Sequence, residues 1–333
     1  MRAHPIRPGR VGGRWWRQTW VRWAVALVVV VAVLVRVGVG PVRAGLAAVD
    51  ARSAVLATAI GLLTTLGAAL RWQLVARGVG LVLPLRAAVA GCYRSQFLNT
   101  VLPGGVLGDV HRGVRHGTQV DAMGRAVRVV AWERSAGQVV QVLISVIVVV
   151  LAESWSAGSA SARWIGAALW VGVVVALLLG SSIGAAALVS RWAPGGRAAG
   201  LVSAMRLELR NGVLSRRTLP GVVASSTLVV AGCTATFWIA AGATGLHVPP
   251  SVILPLALVV LLAMAMPLNV AGWGPREGVA AWAFAAAGLG AAQGVAASVA
   301  YGVLVFLAAL PGAAVLLTEH LRPAGRPGVR SAA

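Results

Sequence analysis

Acidic residues are scarce in this chain: eight Asp and Glu stand against 29 basic residues in 333, for a formal net charge of +21. With so few carboxylates there are no clustered acids and no D-x-D pattern, which argues against an enzyme that works by acid–base chemistry. Lysine is absent altogether; the exclusive use of arginine is read as genome composition, not mechanism. Cysteine is limited to Cys92 and Cys233, both in apolar context, so neither a disulfide framework nor a zinc site can be built. Among the five histidines the one local set is Asp109 with His111 and His116. It lacks a full ligand shell and reads as a solvated basic loop, so no metal is expected. The glycine clusters at 104, 105 and 108 and at 272 and 274 match neither the Walker nor the dinucleotide pattern. Nucleotide binding is disfavoured, and no cofactor is expected.

What is present is apolar. Hydrophobic residues make up 59% of the chain and charged residues 11%, whereas a soluble domain is about a quarter charged. The runs Trp23–Gly40, Ala54–Leu70, Val139–Ala152, Trp164–Val189, Val222–Ala243, Val252–Met266 and Ala291–Leu317 approach the roughly 20 helical residues that cross a hydrocarbon core. A membrane barrel would instead show alternating segments of about ten residues. The fold class is therefore all-α, a polytopic membrane bundle. The arginines sit in short connections between these runs, as the positive-inside rule requires, and no nucleic-acid partner is expected.

Charge bias orders the spans. A basic segment, residues 1–22, places the N-terminus in the cytoplasm, and Val25–Val35 behind Arg14, Arg17 and Arg22 reads as a retained first helix in place of a cleaved signal. Tryptophans 15, 16, 20 and 23 anchor that entry. The second span returns to a cytoplasmic stretch with Arg71, Arg77 and Arg86. The segment at about 87–110 is interrupted by Arg94, Asn99, Pro103, Gly104, Gly105 and Gly108; a full crossing there would put Arg112, Arg115, Arg125 and Arg128 outside. A re-entrant hairpin removes the conflict, provided that its non-helical backbone lines a cavity. The connection 190–219 is cytoplasmic, and MRLELRNGVLSRR within it suits an interfacial helix. A second interruption, PLNVAGWGPREG with Pro267, Gly272, Gly274 and Pro275, makes about 252–289 a hairpin entering from the other side. The transmembrane domain thus spans 23–318, with six full spans and two re-entrant hairpins (eight spans being the alternative), and a cytoplasmic tail at 319–333. Two broken segments of opposed orientation point to a midplane binding site.

Asp109, Glu133 and Glu277 fall within or beside these membrane segments, where an unpaired charge costs about 2.5–3.5 kcal/mol on insertion scales. Each needs a partner. Asp109 has Arg112 three residues on, and Glu277 follows Arg276 directly. Their arginines and exposed N–H groups could receive a lipid phosphate, or the pairs could simply staple the hairpins. Glu133 is expected to pair with another segment, with Arg94 or Arg276 as partner. The candidate substrate-binding set is Arg94, Asn99, Asp109, Arg112, Glu133, Arg276 and Glu277, and no catalytic residue is assigned.

The stretch from Arg71 through Gly80 to PGGVLGDVHR, the later PLNVAGWGPREG and the Gly288–Tyr301 segment resemble the transmembrane region of lysylphosphatidylglycerol synthases and related flippase-like membrane proteins. The likeness runs from about Leu56 to Leu317. It carries over to Asn99, Pro103, Gly104, Gly108, Asp109 and Arg112, and to Pro267, Gly272, Gly274, Arg276 and Glu277. Where a second glycine is expected before Asp109, Val106 and Leu107 precede Gly108. Bifunctional members carry a soluble aminoacyl-transfer domain after this region; the chain ends about 16 residues beyond Leu317, so synthase activity is not expected. The resemblance implies movement of an anionic phospholipid or polyprenyl-linked lipid between leaflets of the cell membrane. A membrane-embedded transferase, or an accessory subunit for a cell-envelope enzyme, is the alternative, and a homo-oligomer is compatible with either.

Overall fold

The computed structural model describes residues 37–102, 105–155, 197–264 and 274–321, with Val35 alone before them. Among these every regular element is helical. After the short α1 (Gly40–Ala47) come α2 (Ala51–Gly78), α3 (Leu85–Val101), α4 (Leu107–Gln119) and α5 (Met123–Trp155). Then follow α6 (Arg197–Glu208), a π-helical turn (Leu209–Val213), α7 (Leu219–Ala243), α8 (Pro250–Ala263), α9 (Pro275–Ala286) and α10 (Ala291–Leu321).

Length separates these helices into two kinds. Helices α2, α5, α7 and α10 have 28, 33, 25 and 31 residues, about 37–50 Å at 1.5 Å per residue. All four are long and apolar enough to cross a membrane. They correspond to the expected runs at 54–70, 139–152, 222–243 and 291–317. Helices α3, α4, α8 and α9 have 17, 13, 14 and 12 residues, about 18–26 Å each, too short for a core of roughly 30 Å. Trp164–Val189 lies outside the described residues, as does most of the expected first run Trp23–Gly40, of which Val35 and residues 37–40 are described.

The short helices come in pairs. In the first, Gly108 meets Ser95 and Arg112 meets Cys92, so α3 and α4 run antiparallel. The chain turns between them with Gly105 at a φ of 60°, a left-handed geometry that glycine adopts freely. In the second, α8 packs against α9, and Gly274, with a φ of 131°, leads into Pro275 at the first turn of α9, where proline needs no N–H partner. Pro103, Gly104, Pro267 and Gly272 lie outside the described residues.

Each pair is preceded and followed by a long helix, giving the order long, broken pair, long twice over. Short connections place the open end of α3–α4 where α2 ends and α5 begins. The open end of α8–α9 lies where α7 ends and α10 begins. Helix α10 runs back past α3, with Gly312 against the Tyr93 backbone and Glu319 on Arg94. The two pairs therefore enter the bundle from opposite ends.

Burial is inverted relative to a water-soluble domain. Leu63, Leu143, Ile147, Leu228 and Phe306 point outward with 40–56% of their surface exposed, whereas Arg71, Arg94, Asp109, Arg112, Glu133, Arg276 and Glu277 are all 8% exposed or less. An apolar exterior around a charged interior is stable only where lipid replaces water. Two apolar clusters hold the helices together. One joins α7 through α10 around Phe237, Phe284, Tyr301 and Leu304; the other joins α2, α3 and α5 around Trp72, Val75, Ala88 and Val129. The sequence MRLELRNGVLSRR is only partly a surface element: Arg206, Arg210, Arg216 and Arg217 are exposed, but the Gly212 backbone packs against Gly78.

Candidate functional site

The charged interior is a connected chain of ion pairs with Glu133 of α5 at its centre. Glu133, 1% exposed, accepts from Arg71 of α2 through Nε at 2.7 Å and Nη2 at 2.6 Å. From the other side it accepts from Arg112 Nη2 of α4 at 2.5 Å. Arg112 Nη2 also reaches Asp109 Oδ1 at 2.9 Å. Asp109 receives Ser95 Oγ at 2.9 Å and Asn99 Nδ2 at 2.7 Å from α3, and is bonded by Arg134 of α5. Asn99 Oδ1 in turn accepts from the Gly108 backbone N–H at 2.8 Å, clamping the start of α4 onto α3. Three arginines thus share two carboxylates, which leaves one net positive charge.

Small residues make room for these guanidiniums. A Cβ added at Gly137 of α5 would lie 2.7 Å from Arg71 Nη1 and 2.8 Å from its Cζ, so the arginine lies flat on the α5 backbone. Arg71 Nη1 also donates to Ser226 Oγ of α7 at 3.1 Å, joining α2, α5 and α7 at one point. Arg112 stacks on Trp72, its Cζ 4.8 Å from the ring centroid, and His116 meets the edge of the same ring at 5.7 Å.

The second broken pair has its own cluster. Glu277 caps α9 by accepting the Gly274 N–H at 2.7 Å, and accepts from Arg276 Nη2 at 2.5 Å and Nε at 2.8 Å. Ser298 of α10 accepts from Arg276 Nε at 3.0 Å. Gly302 gives the guanidinium its space, since an added Cβ would stand 2.5 Å from Nη2. Arg276 lies over the Tyr301 ring at 5.4 Å.

Tyr301 connects this cluster to a cavity of about 260 Å³. Its polar wall is Arg71, Arg134, Gln138, Gln141, Ser226 and Tyr301; Val229, Val230 and Leu261 form an apolar wall. At 1.5 Å per residue, Arg71 is about 10 Å from the C-terminal end of α2 and Arg134 about 16 Å from the start of α5. The cavity therefore lies well away from those helix ends, on a wall built from α2, α5, α7, α8 and α10.

The sequence-derived candidates divide across this geometry. Asp109, Arg112 and Glu133 form the network behind the cavity, Asn99 supports it, and Arg276 and Glu277 form the second cluster. Glu133 pairs with Arg71 and Arg112, not with Arg94 or Arg276. Arg71, expected in a cytoplasmic stretch, is 8% exposed, because α2 continues for seven residues beyond it. Arg94 stands apart: its Nη1 donates to Glu319 at 2.5 and 2.6 Å, with Arg115 on the same carboxylate at 2.9 Å. Asp109, His111 and His116 are on helix α4 and not in a solvated loop; Asp109 and His116 are buried. Among the described residues no group of His, Cys, Asp and Glu could hold a metal ion. Sequence reasoning left out Arg71, Arg134, Gln138, Gln141, Ser226 and Tyr301. Positions 134, 138 and 141 recur at helical spacing within an apolar run, a readable stripe; nothing local marks Ser226 or Tyr301.

No curated protein and no solved structure matches the chain. A family model does, over residues 20–312, which takes in every element from α1 to α9 and most of α10. The chain belongs to the family described as the lysylphosphatidylglycerol synthase TM region.

Proposed function

We propose that this membrane protein moves a lipid between leaflets, its cavity receiving the polar headgroup while the acyl or prenyl tails stay in the bilayer. The supporting observation is the placement of a polar, arginine-bearing cavity among four helices long enough to span a membrane. Leu261 of α8 is on its wall, and Asp109 of α4 bonds Arg134 from behind. Paired broken helices of opposed entry around a midplane site are the arrangement by which transporters alternate access. On this reading α3–α4 and α8–α9 are re-entrant hairpins, the full count is six spans, and the protein resides in the cell membrane with both termini cytoplasmic. Movement in a preferred direction would draw on an ion gradient, the membrane potential or a partner.

The site favours transport over transfer chemistry. Asp109 is held by Ser95, Asn99, Arg112 and Arg134, and Glu277 by Gly274, Arg276 and Ser298. Carboxylates occupied in this way are poor general bases. Purified protein reconstituted into vesicles should accelerate the transbilayer movement of fluorescent phosphatidylglycerol or of a polyprenyl-phosphate lipid, with Arg134→Gln slower than wild type. No acceleration with either lipid, by protein shown to be folded, would overturn the proposal.

A further inference from the structure

Arg94 of α3 and Arg115 of α4 share one carboxylate that comes from neither helix. Glu319, two residues before the end of α10, accepts from Arg94 Nη1 at 2.5 and 2.6 Å and from Arg115 Nη1 at 2.9 Å. One acid against two arginines leaves one positive charge here. The grip on Arg94 is partial. Its side chain is 6% exposed, yet Nη1 alone meets the acid, and its buried Nε makes no hydrogen bond among the described residues. A guanidinium offers five N–H donors in a planar fork, so one edge of Arg94 is left bare.

The stretch of helix that carries Glu319 has a joint. Pro311 lies inside α10; it has no N–H for the Leu307 carbonyl and its ring crowds that turn, the usual cause of a kink. Gly312 follows, its backbone resting on the Tyr93 carbonyl of α3 where a Cβ would not fit. Just before the joint α10 is held in place: the Phe306 and Phe97 ring centroids are 6.5 Å apart, and Ala308 packs against Gly61 of α2. Beyond it the helix is looser. Leu317 is 63% exposed and the Thr318 hydroxyl bonds its own helix, so among the described residues Glu319 makes the polar contacts that tie this stretch to α3 and α4. Glu319 is about 12 Å beyond Pro311 at 1.5 Å per residue. A change of about 20° at the joint, the size of an ordinary proline kink, would move it about 4 Å and break these contacts.

Such a swing is unfavourable by itself. Arg94 would stay buried without a counter-charge, and an uncompensated buried charge is strongly destabilising. Release of Glu319 therefore calls for another anion in its place. That anion must offer several acceptor oxygens, to serve Nε and Nη1 of Arg94 together with Nη1 of Arg115, which is the chemistry of a phosphate group and not of chloride. We propose that Arg94 and Arg115 form a phosphate site that Glu319 occupies from within, and that phosphate exchanges for the carboxylate and swings the end of α10, from Pro311 on, away from α3 and α4. None of the three residues lines the cavity, and the inference does not depend on how the cavity is used. A free phosphate ion and the phosphate of a lipid share this chemistry.

The test is hydrogen exchange of the full chain in dodecyl maltoside, a phosphate-free detergent. Inorganic phosphate or dihexanoyl phosphatidic acid is added and compared with sodium chloride at equal ionic strength. At least one of the two should speed exchange at residues 313–321 threefold or more over chloride and leave 250–263 unchanged. A response to the lipid alone identifies a lipid phosphate as the ligand; a response to inorganic phosphate shows that the phosphate group suffices. In Glu319→Gln, exchange at 85–119 is raised without ligand, and the same phosphate should return it to within twofold of wild type by replacing the lost carboxylate. Arg94→Gln should abolish the response at 313–321, and Pro311→Ala, which restores the missing helix hydrogen bond, should cut it to less than half. Equal responses to chloride and to both phosphates would overturn the proposal. So would raised exchange in Glu319→Gln that neither phosphate reverses, or a wild-type response in Pro311→Ala.

Discussion

Glu133→Gln is the sharpest perturbation of the interior, because it removes one charge and almost no volume. The carboxylate is 1% exposed and receives three close N–H contacts, two from Arg71 and one from Arg112. Without it, three arginines share Asp109 alone, and the local excess rises from one positive charge to two. Removing one partner of a buried ion pair costs about 3–5 kcal/mol, or about two to nearly four powers of ten in an equilibrium constant. Since 1 kcal/mol moves the unfolding midpoint of a large domain by roughly 2–4 °C, the variant should melt about 6–20 °C lower. The two cysteines provide the assay. Cys92 is 3% exposed and its Sγ is 3.4 Å from Arg112 Nη1, so its reaction with a fluorogenic maleimide on heating reports opening of the α3–α4 pair. Adding Arg112→Gln to Glu133→Gln returns the net charge to one and should recover part of the loss. A shift under 2 °C in the single variant, or a double variant no better than the single, would refute the account of the network as a charge-balanced unit.

Gly137→Ala should displace the Arg71 guanidinium, which Glu133 and Ser226 pin in place. A cost of about 1–3 kcal/mol is expected for this overpacking, with a matching fall in melting temperature; a crystallographic or cryo-EM map with Arg71 unmoved would contradict it. Gly302→Ala should act in the same way on Arg276, destabilising α9–α10 while leaving the maleimide reactivity of Cys92 unchanged. Glu319→Gln takes the shared acid from Arg94 and Arg115, and should raise hydrogen exchange across residues 85–119 without affecting 250–263; equal effects in both regions would argue against a local lock. His116→Phe should cost less than about 1 kcal/mol or stabilise the protein, since the ring packs on Trp72 and its Nε2 has no hydrogen-bond partner among the described residues. A large loss in a melting curve would show that the nitrogen has a role beyond packing.

Composition and charge distribution were enough to establish a helical membrane bundle, because a long apolar run has only one inexpensive way to satisfy its backbone in lipid. Gly105 has a φ of 60°, and Gly274, with a φ of 131°, precedes Pro275 at the start of α9. The acids were also legible, since eight carboxylates in an apolar chain stand out and each demands a partner. The local pairs Asp109–Arg112 and Arg276–Glu277 could be read from spacing, but the partners of Glu133 could not. Arg71 lies 62 positions before Glu133 and reads as one more arginine after a span; only the packing of α2 against α5, with Gly137 leaving space, joins them.

The sequence by itself determined that this protein spans a membrane in several helices, that two stretches carry clustered glycine and proline, and that two of its eight acids, Asp109 and Glu277, lie beside them. These follow from local chemistry: helix length, backbone freedom and the penalty on an unpaired charge. Only the tertiary structure decided which charges neutralise one another and which remain to face a cavity. It placed Arg71 of α2 and Arg112 of α4 on Glu133 of α5, and brought Arg71 and Arg134 from two different helices to the cavity wall. The physical reason is that charge balance inside a bundle is a property of neighbours in space: adjacency along the chain encodes the pairs Asp109–Arg112 and Arg276–Glu277, and helix packing sets those of Glu133.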